Sequence, residues 1–107
     1  MSIIGKKYRV NIIHPIGSVY EENEDIKFEV NHGIVENEVD ALGNPQEAYV
    51  LGIDKPLSYF DGRLIAIIHR TNDIENKWVI SNIHYSKEEI LEKVSFIEKY
   101  FNVEVII

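Results

Sequence analysis

Cysteine is absent from the 107 residues. That excludes disulfides, cysteine-based zinc sites and thiol nucleophiles. Basic residues are scarce: 11 Lys and Arg stand against 18 Asp and Glu, for a formal net charge of −7. Nucleic acid is a poor partner for such a chain, because a phosphate backbone needs a basic face. Cations are drawn to it, as to any acidic surface. Long hydrophobic runs are missing too. The longest, Leu64–Ile68, is far short of the roughly 20 residues that cross a bilayer. The opening residues MSIIGKKYRV lack the apolar run and small-residue ending of a signal peptide. These absences predict a cytoplasmic protein without a membrane partner. Repeats and low-complexity linkers are also missing, so residues 1-107 read as a single domain. The length allows one modest core, and an apolar fraction of 45% is that of a globular protein.

What is present has mostly a β pattern. Tyr8–Ile12 alternates apolar and polar residues with the period of a half-buried strand. His14-Pro15-Ile16-Gly17-Ser18 ends it with Pro and Gly. Glu21–Asp25 holds a run of carboxylates, which reads as a solvated loop, with a metal site as the alternative. Ile26–Val30 alternates again and predicts a strand running straight into Asn31-His32-Gly33. Arg63–Arg70 is nearly continuously apolar, which predicts a central strand covered on both faces. Ser86 and Glu89 form a capping box that opens the one convincing helix. Ile90, Val94, Ile97 and Phe101, with Leu91 beside them, make a stripe suited to the outer face of Leu64–Ile68. Val103–Ile107 fits a short last strand.

Two stretches carry chemistry. In Asn31–Leu51, the turn Leu42-Gly43-Asn44-Pro45-Gln46-Glu47 is set by Gly43 and Pro45. Asn44 and Glu47 put oxygen atoms on it, and Ala48–Leu51 has strand composition. A rigid turn carrying oxygen ligands into a strand suits a hard cation such as Mg²⁺. Asp40, just before the turn, reads as a cap for backbone amides. In the second stretch, Glu75 and Lys77 are two apart and so point the same way in a strand. A carboxylate beside an ammonium suits a metal–phosphate complex, and is equally an ordinary surface ion pair.

Together these stretches resemble the soluble inorganic pyrophosphatases. The family pattern is N-Y-G-[FY]-[IV]-P-x-T, then D-G-D-P-x-D-[AV] and an apolar strand. Asn31, Gly33, Gly43 and Pro45 agree with it without a gap. His32 takes the place of the tyrosine. Leu42, Asn44 and Glu47 stand where the family has three aspartates. The family continues with D-x-x-x-x-D-x-K: Glu75 and Lys77 match its last acid and its lysine, and Arg70 stands at its first acid. A local shift would bring in Asp73. Lys99-Tyr100 has the reverse order of the family's Tyr-Lys pair and is not carried over. The similarity covers roughly residues 26 to 82.

The expected fold is mainly β (α+β): a small five-stranded OB-like antiparallel barrel with one C-terminal helix. The resemblance implies Mg²⁺-dependent hydrolysis of inorganic pyrophosphate or a related phosphoanhydride, weakened by the replaced aspartates. It implies Glu47, Glu75 and Lys77 as catalytic residues. Lys77, Arg70, His32 and His14 would bind phosphate, and Glu47, Glu75, Asn44 and Asp73 would bind metal. His14 is otherwise a turn histidine exposed to water, and His32 one bonded to backbone. The expected partners are pyrophosphate or another small phosphorylated ligand, with homo-oligomer formation left open. The alternative is a non-catalytic pyrophosphatase-like module that binds a phosphorylated small molecule or a protein.

Overall fold

The computed structural model describes residues 2–71 and 75–107. Among them are β1 Lys7–His14, β2 Val19–Tyr20, β3 Asn23–Lys27, β4 Asn31–Val39, β5 Pro45–Val50, β6 Tyr59–Arg70, β7 Asn76–Ser81, α1 Lys87–Glu98 and β8 Val103–Ile106. Five strands close a barrel in the order β1-β4-β5-β7-β6, with β6 returning to β1. At 12 residues, β6 pairs with β1 through Tyr59–Arg63 and with β8 through Ile67–Arg70. The strand β8 thus extends the sheet beyond the barrel, and β2 and β3 form a separate hairpin. This is the small OB-like barrel that the sequence predicts, except that β5 and β7 run parallel.

Two apolar layers lie on either side of the barrel wall. Val10, Val35, Ala48, Val50, Leu64, Trp78 and Ile80 come from all five barrel strands and fill the inside. Tyr49, Ala66, Ile68 and Val79 face outwards, where Ile90, Val94 and Ile97 of α1 cover them. Alternation along β5 and β7 supplies both layers at once. In β6, Leu64 and Ala66 share parity yet belong to different layers. The register shift explains this: Leu64 is opposite Ile80, but Ala66 is opposite Val79. Ile65 is the extra residue, a β-bulge that turns the rest of β6 over. The apolar run Leu64–Ile68 is therefore covered on both faces, with α1 on the outer one.

Some local expectations shift. Ile26–Val30 is not one strand, since β3 ends at Lys27. Phe28 instead exchanges backbone hydrogen bonds with Gly17 and Ser18 and buries its side chain. Most of the acidic run is hairpin: Glu21 and Glu22 make its turn and Asn23–Asp25 lie in β3. The capping box is formed, but α1 stops at Glu98, so Phe101 packs from the turn that follows. Phe96 is buried instead, while Leu91 is 38% exposed. No helix among the described residues is long and apolar enough to cross a membrane.

Candidate functional site

A cleft of about 670 Å³ lies on the outer face of the barrel, walled by β1, β4, β5, β6 and β7 and bounded by the hairpin and the end of α1. Strand parity decides which side chains reach it. Glu47 is two residues before outward-facing Tyr49, Lys77 two before Val79, and Arg70 two after Ile68. His32 lies opposite Tyr49 across the β4–β5 ladder, and His14 opposite His32 across β1–β4. Gly33 permits that approach. A Cβ there would sit 2.1 Å from the Asn11 carbonyl oxygen, so no larger residue fits without moving backbone. Asn31 is fully buried and acts as a strut. Its Oδ1 accepts from the amides of Ile16 and Leu57 and its Nδ2 donates to the Lys55 carbonyl.

The polar side chains form one continuous line. Glu21 accepts from His14 Nε2 at 2.8 Å, and His14 Nδ1 and His32 Nδ1 are 2.8 Å apart. His32 Nε2 is 2.9 Å from Glu47 Oε1, and the Lys77 ammonium is 2.8 Å from the same oxygen. Lys77 also donates to Glu75 at 2.5 Å, and Glu75 pairs with Arg70 at 3.3 Å. Arg70 makes a bidentate pair with Glu98, Nε to Oε1 at 3.0 Å and Nη2 to Oε2 at 2.7 Å. The Tyr49 hydroxyl donates to Glu98 at 2.5 Å and ends the line.

The histidine segment fixes its own proton count. Three bonds in a row, Glu21–His14, His14–His32 and His32–Glu47, need three N–H groups on two rings. Two neutral imidazoles carry only two. The line is complete when the pair carries one positive charge. Burial pushes the His32 imidazolium down, against the pull of Glu47. His14 Nε2 donates to the exposed Glu21 and His32 Nε2 donates to Glu47. Carboxylates at Glu47, Glu75 and Glu98 alternate with the cations Lys77 and Arg70, and Glu21 meets the histidine pair at the other end.

This alternation shifts the titrations. The hydrogen bond from His32, then Lys77, holds the Glu47 carboxyl well below the usual carboxylate range, although burial opposes this. His14 likewise lowers Glu21. Burial opposes the charge on Arg70, but its bonds to Glu98 outweigh that and keep the guanidinium protonated. Burial, then the Glu98 charge, pushes the Tyr49 hydroxyl well up.

The structure thus brings together Glu47, Glu75, Lys77, Arg70, His32 and His14. Asn44 is exposed on the β4–β5 turn and does not line the cleft. Leu42 on that turn is 62% exposed, and Asp40 Oδ1 caps the amides of Leu42 and Asn44. Asp73 lies outside the described residues. Sequence reasoning missed Glu98 and Tyr49, and took Glu21 only as part of an acidic run, with a metal site as the alternative. Glu98 had a signal, because it falls four residues after Val94 on the buried stripe of α1. Tyr49 had none, and the pairing of Glu21 with His14 had none either, since both depend on which strands become neighbours.

The donor set fits Mg²⁺ in a limited way. Glu47 and Glu75 converge on one ammonium and offer only oxygen. One or two carboxylates plus phosphate oxygens and water is a usual environment for this ion. Among the described residues, no group of three His, Asp or Glu side chains is arranged to hold a metal by itself.

No family model matches the sequence, and no curated protein matches it. Solved structures do share its fold. An inorganic pyrophosphatase from Ehrlichia chaffeensis superposes with a TM-score of 0.70 over 96% of this chain and 86% of that one, at 14% identity. The inorganic pyrophosphatase from Helicobacter pylori gives 0.62 over 97% and 84%, at 19% identity. A structure described as an inorganic phosphatase from Anaplasma phagocytophilum gives 0.59 over 97% and 87%, at 16% identity. The chain has a pyrophosphatase-like fold.

Proposed function

We propose that the cleft binds a phosphoanhydride, with pyrophosphate as the lead substrate, as its Mg²⁺ complex and hydrolyses it slowly in the cytoplasm. The observation that carries this reading is the convergence of Glu47, Glu75 and Lys77 in the cleft of a pyrophosphatase-like fold. Glu47 and Glu75 would hold the cation. When bound, Mg²⁺ supplies charge neutralisation on the phosphates and lowers the pKa of a water. Lys77 has three N–H groups and uses two on Glu47 and Glu75, which leaves one for a phosphate oxygen. Arg70, bonded through Nε, Nη1 and Nη2, keeps two more. Glu47 is a poor proton acceptor, because its carboxyl is held so far below the ordinary range. That argues for slow turnover.

One feature favours a second reading, a non-catalytic module. The carboxylates suited to metal are already neutralised by Lys77 and Arg70. Phosphate release from pyrophosphate, with Mg²⁺ and with a chelator, separates the two. Release that needs Mg²⁺ and is lost in Glu75→Gln supports hydrolysis. Binding of pyrophosphate without release supports the module, and neither binding nor release removes both.

A further inference from the structure

The cleft is larger and more apolar than pyrophosphate requires. Pyrophosphate is small and polar throughout, so it gains nothing from an apolar wall. At about 670 Å³ the cleft falls within the range of roughly 300–1,000 Å³ found for organic ligands. Beside the ionic line the cleft has apolar lining. Ile97, Tyr100 and Phe101 come from the end of α1 and the turn after it, and Tyr20 and Ile26 from the hairpin.

The rings of the cleft are not equally available. Phe28 stacks on His14 with centroids 4.3 Å apart and on His32 at 5.2 Å. The Arg70 guanidinium covers Phe101 at 3.7 Å from its centroid. The Tyr20 hydroxyl donates to Glu22, and its ring meets His14 and Phe28 at an edge. Tyr100 is different. It is 60% exposed, and the ammonium of neighbouring Lys99 lies 5.3 Å from its centroid. The Arg70–Phe101 contact joins the ionic line to the apolar lining. Arg70, Lys77 and Tyr100 all line the one cleft, so a phosphate-bearing ligand there shares it with an exposed aromatic ring.

Resting on the phosphoanhydride reading above, we propose that the natural ligand is an organic diphosphate with a flat aromatic group, in the first instance a nucleoside diphosphate. Its phosphates lie at Lys77 and Arg70, and its base stacks on Tyr100. Stacking tolerates any base, because every base has a π face. The class is thus aromatic diphosphates rather than one nucleotide.

Calorimetry with Mg²⁺ present tests this by comparing ADP with inorganic pyrophosphate on the whole chain. ADP should bind about tenfold tighter or more, the scale of one stacked base. Tyr100→Ala should remove that difference by weakening ADP alone, and Tyr100→Phe should retain it. Saturation-transfer NMR on the unaltered protein should show the adenine protons in contact with it, which keeps the test independent of how the variants fold. If pyrophosphate binds and ADP binds no tighter, the aromatic seat is overturned and the phosphoanhydride reading stands. Equal weakening of both ligands by Tyr100→Ala overturns it as well. If neither ligand binds, the phosphoanhydride reading fails and takes this proposal with it.

Discussion

The Nδ1 atoms of His14 and His32 lie 2.8 Å apart, a distance that requires one N–H shared between the two rings. Each ring's other nitrogen faces a carboxylate, Glu21 for His14 and Glu47 for His32. The pair therefore behaves as a unit. His14→Phe or His32→Phe alone strands a buried nitrogen and should cost about 1–3 kcal/mol. The double variant should cost less than the two single losses combined, by about 0.5 kcal/mol or more. Urea unfolding of the four proteins measures this. Strict additivity would show that the rings act separately.

Acid should destabilise the fold in two stages. Burial places the folded His32 pKa below its ordinary value of 6.5, so the unfolded chain binds the proton more readily. Stability is then full above that value and falls as pH drops through it. The Glu47 carboxyl is held below its ordinary 4.5. Its contribution is present above that value and is lost on further acidification. Both slopes have the same sign. Denaturation midpoints that stay level from pH about 8 down to about 4 would contradict this.

Glu98→Gln should be the costliest single change in the network. Glu98 is 2% exposed and takes both Arg70 bonds and the Tyr49 hydroxyl. Neutralising it leaves the buried guanidinium paired with the carboxylate of Glu75 at 3.3 Å, at a cost of about 3–5 kcal/mol. Glu92→Gln on the exposed face of the same helix should stay within about 0.5 kcal/mol of the parent. Chemical denaturation of both variants checks the contrast, and equal costs would mean the buried pair contributes nothing special.

Gly33→Ala should destabilise by about 1–3 kcal/mol. The new methyl would meet the Asn11 carbonyl oxygen at 2.1 Å, and backbone yields less easily than a side chain. The strands β1 and β4 would separate next to the His14–His32 contact, so the imidazole NMR shifts of both rings should move as well. A stable variant with unchanged shifts would remove Gly33 as the reason the rings meet.

The sequence by itself determined the kinds of element and the frame of the site. Alternation at Tyr8–Ile12 and the capping box at Ser86 and Glu89 are local signals, so the strand and the helix start could be read directly. Two-residue spacing put Glu75 and Lys77 on one face, and the ungapped motif placed Glu47 with them. The tertiary structure decided the rest. Whether Lys77 meets a phosphate or a carboxylate depends on β5 lying beside β7, a parallel pairing between strands 30 residues apart, as Ala48 opposite Trp78 shows. The bulge at Ile65 turns Ala66 and Ile68 outwards, and no composition signal announces it. Glu98 reaches Arg70 and Tyr49 only because α1 packs over that turned segment. Asn44 kept its place in the motif but lies outside the cleft, since a motif records chain spacing and a cleft is made by strand neighbours. Local propensity acts over a few residues and is written in the chain. Charge compensation acts between elements brought together by burial, so it exists only once the barrel has closed.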